Sequence, residues 1–107
     1  TFIATNSTES LTNSSSAASV STAVSLVDSS GGATGLSLAA GVTGQIKTII
    51  CTTAGNNITI TPAATVGSGT TIVLDAAGES VTLMYTGSAW AAIATSSFAS
   101  SISTVIQ

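Results

Sequence analysis

Charged residues are almost absent from this 107-residue sequence. They make up 5% of the chain, against about 25% in ordinary domains, and there is no Arg and no His. The whole inventory is Glu9, Asp28, Lys47, Asp75 and Glu79. Because nucleic-acid binders neutralise phosphates with several basic side chains, a single lysine argues strongly against direct binding to DNA or RNA. The same shortage argues against a membrane contact made through basic residues.

The residues that catalysis and metal binding require are also missing. A serine nucleophile needs a base, which is usually His, and zinc sites need clusters of Cys or His. The four acids do not have the spacing of a calcium loop. A Ser–Lys mechanism would have to use Lys47, which we expect to point to solvent or to pair with an acid. We therefore expect no enzymatic activity, no metal site and no cofactor.

Two further candidates for chemistry have simpler interpretations. Cys51 is the only cysteine, and its apolar run Ile49-Ile50-Cys51 predicts a buried structural thiol. Asp75 and Glu79 could form a carboxylate pair, but they flank the turn signal Ala76-Ala77-Gly78, which favours a solvated turn. No apolar run approaches about 18 residues, so we predict no transmembrane segment. The first residues also lack the basic and apolar regions of a signal peptide.

Serine and threonine supply most of the polarity, with 19 of each, while 44% of the residues are hydrophobic. A chain of this length and composition is expected to fold as one domain with a modest core. Threonine favours strands and serine favours turns, so the composition predicts a β protein. The low charge points to an assembled state, because a subunit inside an assembly hides much of its surface. The alternative is a soluble monomer coated with hydroxyl groups.

Alternation of apolar and polar residues predicts seven to nine short strands. From Ser19 onward, Val20, Thr22, Val24 and Leu26 fall on one face of a half-buried strand. Further strands are predicted at 35–39, 45–52, 58–61, 71–75, 80–86, 89–94 and 101–106.

Turn signals recur every 8–12 residues, which is typical of a small antiparallel β-sandwich or barrel-like domain over residues 19–107. A parallel arrangement would need crossover helices, for which the chain has no room. The run 54–57 predicts a hairpin turn, and Gly87-Ser88 predicts another between Tyr85 and Trp90. Cross-strand packing of these two aromatic rings in the core is the simpler interpretation, and an exposed site for a sugar or partner is the alternative.

Residues 1–18 predict an extended N-terminal arm. Small polar residues dominate from Thr5 to Ala18, and Phe2 and Ile3 stand near the start. A flexible tail is one interpretation. The other is an arm that docks on a neighbouring subunit through Phe2 and Ile3, which are therefore the candidate partner-binding residues.

The segment from Gly44 to Ile93 resembles parts of phage and other virus structural proteins. The likeness is carried by residues 44–49 (GQIKTI), 57–62 (NITITP), 78–85 (GESVTLMY) and 87–90 (GSAW), in that order. They are similar to segments of capsid decoration proteins and of tail-fibre or spike modules. The resemblance covers about half of the chain and implies β-rich subunits, commonly homotrimers, without catalytic residues.

The resemblance and the composition together predict a capsid decoration, or cement, protein. We expect a homotrimer on the capsid surface of a virion, with the major capsid protein or other virion proteins as partners. One alternative is a tail-fibre or spike module that binds receptor glycans, in which case Trp90 or Tyr85 should be exposed. Another is a cell-surface or filament-forming subunit that polymerises by donating its N-terminal arm as a strand.

Overall fold

The computed structural model describes residues 8–67 and 69–96. Over these residues the chain forms nine strands and no helix, so the all-β prediction is confirmed. The strands are β1 (Thr8–Thr12), β2 (Ala17–Ala18), β3 (Val24–Asp28), β4 (Thr34–Leu38), β5 (Ile46–Thr53), β6 (Ile58–Pro62), β7 (Ile72–Leu74), β8 (Ser80–Tyr85) and β9 (Trp90–Ser96).

The strands belong to two sheets. One has five strands in the order β1-β3-β5-β8-β9, and the other has four in the order β2-β4-β6-β7. From β1 to β6 the chain alternates between the sheets, so that each strand lies beside the one formed two elements earlier. The pairs β1–β3, β3–β5, β2–β4 and β4–β6 are parallel, while β5–β8, β6–β7 and β8–β9 are antiparallel.

The prediction of a purely antiparallel domain was therefore wrong. It assumed that parallel strands of one sheet need a helical crossover between them. Here the chain passes from β3 to β5 through β4 of the opposite sheet, so a strand replaces the helix as the crossover element. The run 54–57 connects β5 to β6 in different sheets, and the predicted hairpin there was also wrong.

The core lies between the inner faces of the two sheets. Alternate residues of each strand point inward, as the pleat requires. The buried hydrophobic residues are Ala18, Val27, Leu36, Leu38, Ile49, Cys51, Ile58, Ile60, Leu74, Val81, Leu83, Tyr85 and Trp90. They include the alternate apolar residues of β4, β6 and β8.

The first predicted strand turns the opposite face to the core from the one expected. In β3, Ser25 and Val27 are fully buried, whereas Val24 and Leu26 are half-buried on the outer face. The hydroxyl of Ser25 can be buried because it donates a hydrogen bond to the carboxylate of Glu9 at 2.5 Å. Hydropathy alone assigns a serine to the solvent side and therefore chose the wrong face.

The predicted boundary between an arm and a domain at residue 18 does not match the described strands. Residues 8–12 and 17–18 form β1 and β2, which pair with β3 and β4 inside the two sheets. Phe2 and Ile3, the candidate docking residues, lie outside the described residues, as does the strand predicted at 101–106.

Candidate assembly surface

Tyr85 and Trp90 pack against each other in the core, as predicted. They are directly paired across the β8–β9 hairpin, with ring centroids 5.1 Å apart in an edge-to-face arrangement. Trp90 is 1% exposed, and its indole N–H donates to the carbonyl oxygen of Ala39 at 2.8 Å. Tyr85 is 8% exposed. Neither ring forms an exposed platform for a sugar.

Lys47 lies in a buried polar cluster between the sheets. Its side chain is fully buried, and Nζ donates to the carbonyl oxygen and the hydroxyl of Thr22 at 3.1 and 2.8 Å. The carboxylate of Glu9 lies 3.6 Å away as the ion-pair partner. Glu9 also accepts hydrogen bonds from the Ser25 hydroxyl and from the Ser19 backbone N–H at 2.8 Å. The expected pairing with an acid is confirmed, and the alternative of a solvent-facing lysine was wrong.

The electrostatics of this cluster follow from its burial and its hydrogen bonds. Desolvation lowers the pKa of Lys47, and the nearby charge of Glu9 only partly opposes this. For Glu9, desolvation raises the pKa, but the hydrogen bonds from Ser25 and Ser19 and the charge of Lys47 together bring it below its usual value. The ion pair between Glu9 and Lys47 links edge strand β1 to central strand β5 across β3.

The cluster does not have the geometry of a Ser–Lys catalytic pair. The Ser25 hydroxyl donates to Glu9, and the Lys47 ammonium group is held by Thr22 and Glu9. Ser25 and Lys47 are both fully buried, so a substrate could not reach them in this conformation.

The other two candidate chemical groups also have structural roles. One carboxylate oxygen of Glu79 accepts the backbone N–H groups of Asp75 at 2.6 Å and of Ala76 at 3.2 Å, which closes the turn between β7 and β8. Hydrogen bonding to Glu79 and its negative charge raise the pKa of Asp75, which is exposed. Cys51 is fully buried, and burial followed by nearby carboxylates raises the pKa of its thiol.

The outer face of the five-stranded sheet carries a group of apolar side chains with no charged residue among them. Central strand β5 carries apolar residues on both faces, with Ile49 and Cys51 inward and Ile46 and Ile50 outward. Ile46 is 44% exposed and Ile50 is half-buried. We call the following set the outer apolar face: Val24, Leu26, Ile46, Ile50 and Met84.

The strand register brings these residues together in rows. Ile46 lies beside Met84, and Leu26 lies beside Ile50. Between the rows, Thr48 and Thr82 are directly paired, and their hydroxyl groups hydrogen-bond to each other at 3.1 Å. Because this hydrogen bond satisfies one donor and one acceptor, dehydrating the pair costs less than dehydrating two unpaired hydroxyl groups.

The outer face of the four-stranded sheet is different. Its outward positions include Gly35 and Ser37 on β4, Thr59 and Thr61 on β6, and one exposed aliphatic residue, Val73. Only one of the two outer faces therefore carries a group of large apolar side chains, as the core of an interface does.

No family model, curated protein or solved structure matches the chain. Among residues 8–67 and 69–96, no three metal-ligating side chains lie close enough together to hold an ion. The same part of the chain contains no helix able to cross a membrane. An apolar cleft of about 150 Å³ between Ile72, Leu83 and Trp90 has no ionisable side chain in its lining.

Two features were not predicted from the sequence: the inward position of Lys47 and the outer apolar face. The inward position of Lys47 could have been found, because Lys47, Ile49 and Cys51 share one face of a strand of period two. Its partner Glu9 lies in a polar segment 38 positions earlier, and no local pattern identifies it. The outer apolar face had a detectable signal, since the run Ile49-Ile50-Cys51 has apolar residues in both phases.

Proposed function

We propose that the chain is a structural virion protein: a capsid decoration, or cement, subunit that packs on the outer surface of a capsid as a homotrimer. The observation that carries the proposal is the outer apolar face, whose five residues are uncharged and lie together on the five-stranded sheet. A cement protein needs complementary area rather than chemistry, and this face offers area without charged groups. The resemblance of residues 44–93 to virion structural proteins gives the biological setting.

The dimensions of the outer apolar face fit the centre of an interface. Three to four strands spaced about 4.8 Å apart and about five residues long cover roughly 300 Å² of flat area. A standard interface buries about 800 Å² on each partner, with an apolar centre and a polar rim. The hydroxyl side chains of Thr8, Ser10 and Thr12 on β1 lie beside the face and supply such a rim.

Burial of the aromatic rings weighs against the receptor-binding alternative. That alternative expected Trp90 or Tyr85 on the surface, and both are buried. A filament-forming subunit is separated from the proposal by its mass in solution, because open-ended assembly gives no fixed stoichiometry.

The test combines the solution mass with one charge substitution and its control. Light scattering of the wild-type chain should give three times the chain mass of 10.3 kDa. Met84→Lys places a charge in the outer apolar face and should yield monomers. Thr61→Lys adds the same charge to an exposed position on the other sheet and should keep the wild-type mass.

Circular dichroism of both variants checks that the fold is kept. A wild-type chain that stays monomeric at about 100 µM would overturn the homotrimer, and equal masses for the two variants would overturn this face as the interface. Binding to the capsid is tested separately: the chain should co-sediment with particles in many copies, and Met84→Lys should reduce the bound amount at least tenfold because the proposed binding unit is the trimer.

A further inference from the structure

Strand β9 is an edge strand of the five-stranded sheet, and within the described part of the chain only its first residue is paired on the open side. There the Trp90 N–H donates to the Ala64 carbonyl oxygen, and the Val66 N–H donates to the Trp90 carbonyl oxygen, each at 2.9 Å. Beyond Trp90, no described residue pairs with this side of β9. Residues 91–96 therefore form an open edge.

The open edge presents backbone hydrogen-bonding groups at defined positions. In an antiparallel pair, residues directly opposite each other exchange both backbone hydrogen bonds or neither. The Tyr85 N–H donates to the Gln45 carbonyl oxygen, toward β5, so Tyr85 and every second residue of β8 direct their backbone groups away from β9. The residues opposite them on β9 are Trp90, Ala92 and Thr95. These three therefore direct their backbone groups to the open edge, and only Trp90 has described partners there.

The side chains of Ala92 and Thr95 belong to the core face of the sheet but are not covered. Ala92 lies opposite Leu83, and Thr95 lies opposite Val81. Leu83 and Val81 are 1% and 0% exposed, whereas Ala92 and Thr95 are both exposed. The facing sheet ends in β7, which has only three residues, so it does not extend over this part of β9.

The apolar cleft of about 150 Å³ lies beside this uncovered surface. Ile72 of β7 lines it together with Leu83 and Trp90, and Ala92 and Val66 complete its apolar lining. Val66 is 59% exposed, so this apolar side chain also lacks cover. Since an apolar cavity of about this volume can hold a molecule of the size of benzene, the cleft has room for one aliphatic side chain.

The sequence that follows β9 contains a segment suited to this surface. Residues 101–106 (SISTVI) place Ile102, Thr104 and Ile106 in one phase of a strand of period two. Four residues, 97–100, connect this segment to β9, and loops of four or five residues are common in β-hairpins. A tether this short gives an effective concentration in the millimolar range, so the segment has the advantage over another chain at micromolar concentration.

We propose that residues 101–106 lie antiparallel beside β9 and cover its open edge and its core face. Ile102 then lies opposite Thr95, as the four-residue connection requires. Ile106 lies about 14 Å further along the strand and enters the apolar cleft. The pairing stops where residues 64–66 already occupy the edge. This contact does not depend on the proposed virion function, because it completes the core of one subunit and does not use the outer apolar face.

Disulfide formation within one chain tests the register. Residues that exchange hydrogen bonds across an antiparallel pair have Cα atoms about 5.5 Å apart, within the span of a disulfide. The double variant Thr95→Cys/Ile102→Cys should therefore form an intrachain disulfide under mild oxidation at about 10 µM, detected by mass spectrometry as the loss of two hydrogen atoms. Thr95→Cys/Ser103→Cys is the matched control, because the side chain at 103 points to the other face. Native Cys51 is buried and common to both variants.

The control should form the intrachain disulfide at least tenfold more slowly than Thr95→Cys/Ile102→Cys. Equal rates for the two double variants, or no disulfide in the first, would overturn the proposal. A disulfide that joins two chains, seen as a covalent dimer on a non-reducing gel, would also overturn it, since the segment would then cover a neighbouring copy.

A charge substitution tests the occupant of the cleft. Ile106→Asp would bury a carboxylate without a partner, so it should lower the melting temperature by at least about 5 °C. Val105→Asp adds the same charge in the other phase of the strand and should shift the melting temperature by less than about 2 °C. Thermal unfolding by circular dichroism measures both shifts. Equal shifts would contradict the placement of Ile106 in the cleft.

Discussion

The substitution Glu9→Gln should destabilise the fold more than its position on an edge strand implies. The change removes the negative charge that faces Lys47 but keeps a side-chain oxygen able to accept from Ser25 and Ser19. Lys47 would then hold a fully buried positive charge with only the two oxygen atoms of Thr22 as partners. The cost is that of an uncompensated buried charge and not that of a lost surface contact.

The magnitude can be worked from the geometry. Two unit charges 3.6 Å apart attract by about 4–5 kcal/mol at the effective dielectric constant of about 20 that suits proteins. Breaking a buried ion pair from one side typically costs about 3–5 kcal/mol. Glu9 is 21% exposed, so water partly screens the pair. We therefore expect Glu9→Gln to lower the free energy of unfolding by about 2–4 kcal/mol.

Urea unfolding followed by fluorescence of Trp90, the single tryptophan, measures this change. Lys47→Met is the companion variant, because it removes the buried cation and leaves Glu9 with two hydrogen-bond donors and partial hydration. Lys47→Met should cost less than Glu9→Gln. The double variant should be more stable than the sum of the two single effects by at least about 1 kcal/mol.

The free energy of unfolding should depend on pH, and the direction follows from the lowered pKa of Glu9. The folded-state pKa of Glu9 lies below its usual value of 4.5, so ionised Glu9 stabilises the fold above that pH. This contribution is lost as the pH falls through the lower folded-state pKa. Glutamine does not titrate, so the stability of Glu9→Gln should fall less steeply below pH 4.5 than that of the wild type. A Glu9→Gln protein within about 0.5 kcal/mol of the wild type at pH 7, with an equal acid slope, would refute the reasoning.

Two further predictions concern the turns and the core. Gly87→Ala should lower the free energy of unfolding by about 1–2 kcal/mol, because Gly87 has φ of 112° and an added Cβ would lie 2.9 Å from the Thr43 hydroxyl oxygen. Gly35→Ala, with open space at its Cβ, should change it by less than about 0.5 kcal/mol in the same urea experiment. Trp90→Phe removes the indole hydrogen bond to Ala39 and part of the ring, and should cost about 1.5–3 kcal/mol. Thermal unfolding by circular dichroism measures this loss, and an unchanged melting temperature would show that the bond contributes nothing.

The positions of the strands were predictable because alternation is a local property. The inward residues Leu36 and Leu38, Ile58 and Ile60, and Val81 and Leu83 follow directly from it. The Gly87-Ser88 hairpin was predictable as well, because adjacent strands with a two-residue turn have one simple way to pair. The Thr86 N–H donates to the Ala89 carbonyl oxygen at 2.8 Å in that turn.

The choice of strand partners was not predictable in the same way. Strand β5 pairs with β3 and β8 rather than with β4, β6 or β7, which are nearer in sequence than β8. An inward-facing residue such as Ile49 has the same alternation in a parallel or an antiparallel sheet, so the pattern does not report the direction of its neighbour. The contact between Glu9 and Lys47 depends on that pairing, and the sequence could not place the two residues together before the topology was known.

The crossings between sheets have a consequence for how the chain can change in length. Val24 lies beside Thr48, and Thr34 lies beside Ile58, and both offsets are 24 residues. Duplicating residues 34–57 would therefore add one strand to each sheet without changing the register of any existing pair, and would widen each sheet by about 4.8 Å. The inserted copy would need an apolar residue in place of Lys47, because the chain has only one Glu9 to neutralise a buried ammonium group. Relatives of different length should then differ by multiples of 24 residues, which is one strand in each sheet. The buried lysine should be kept in only one of these repeats.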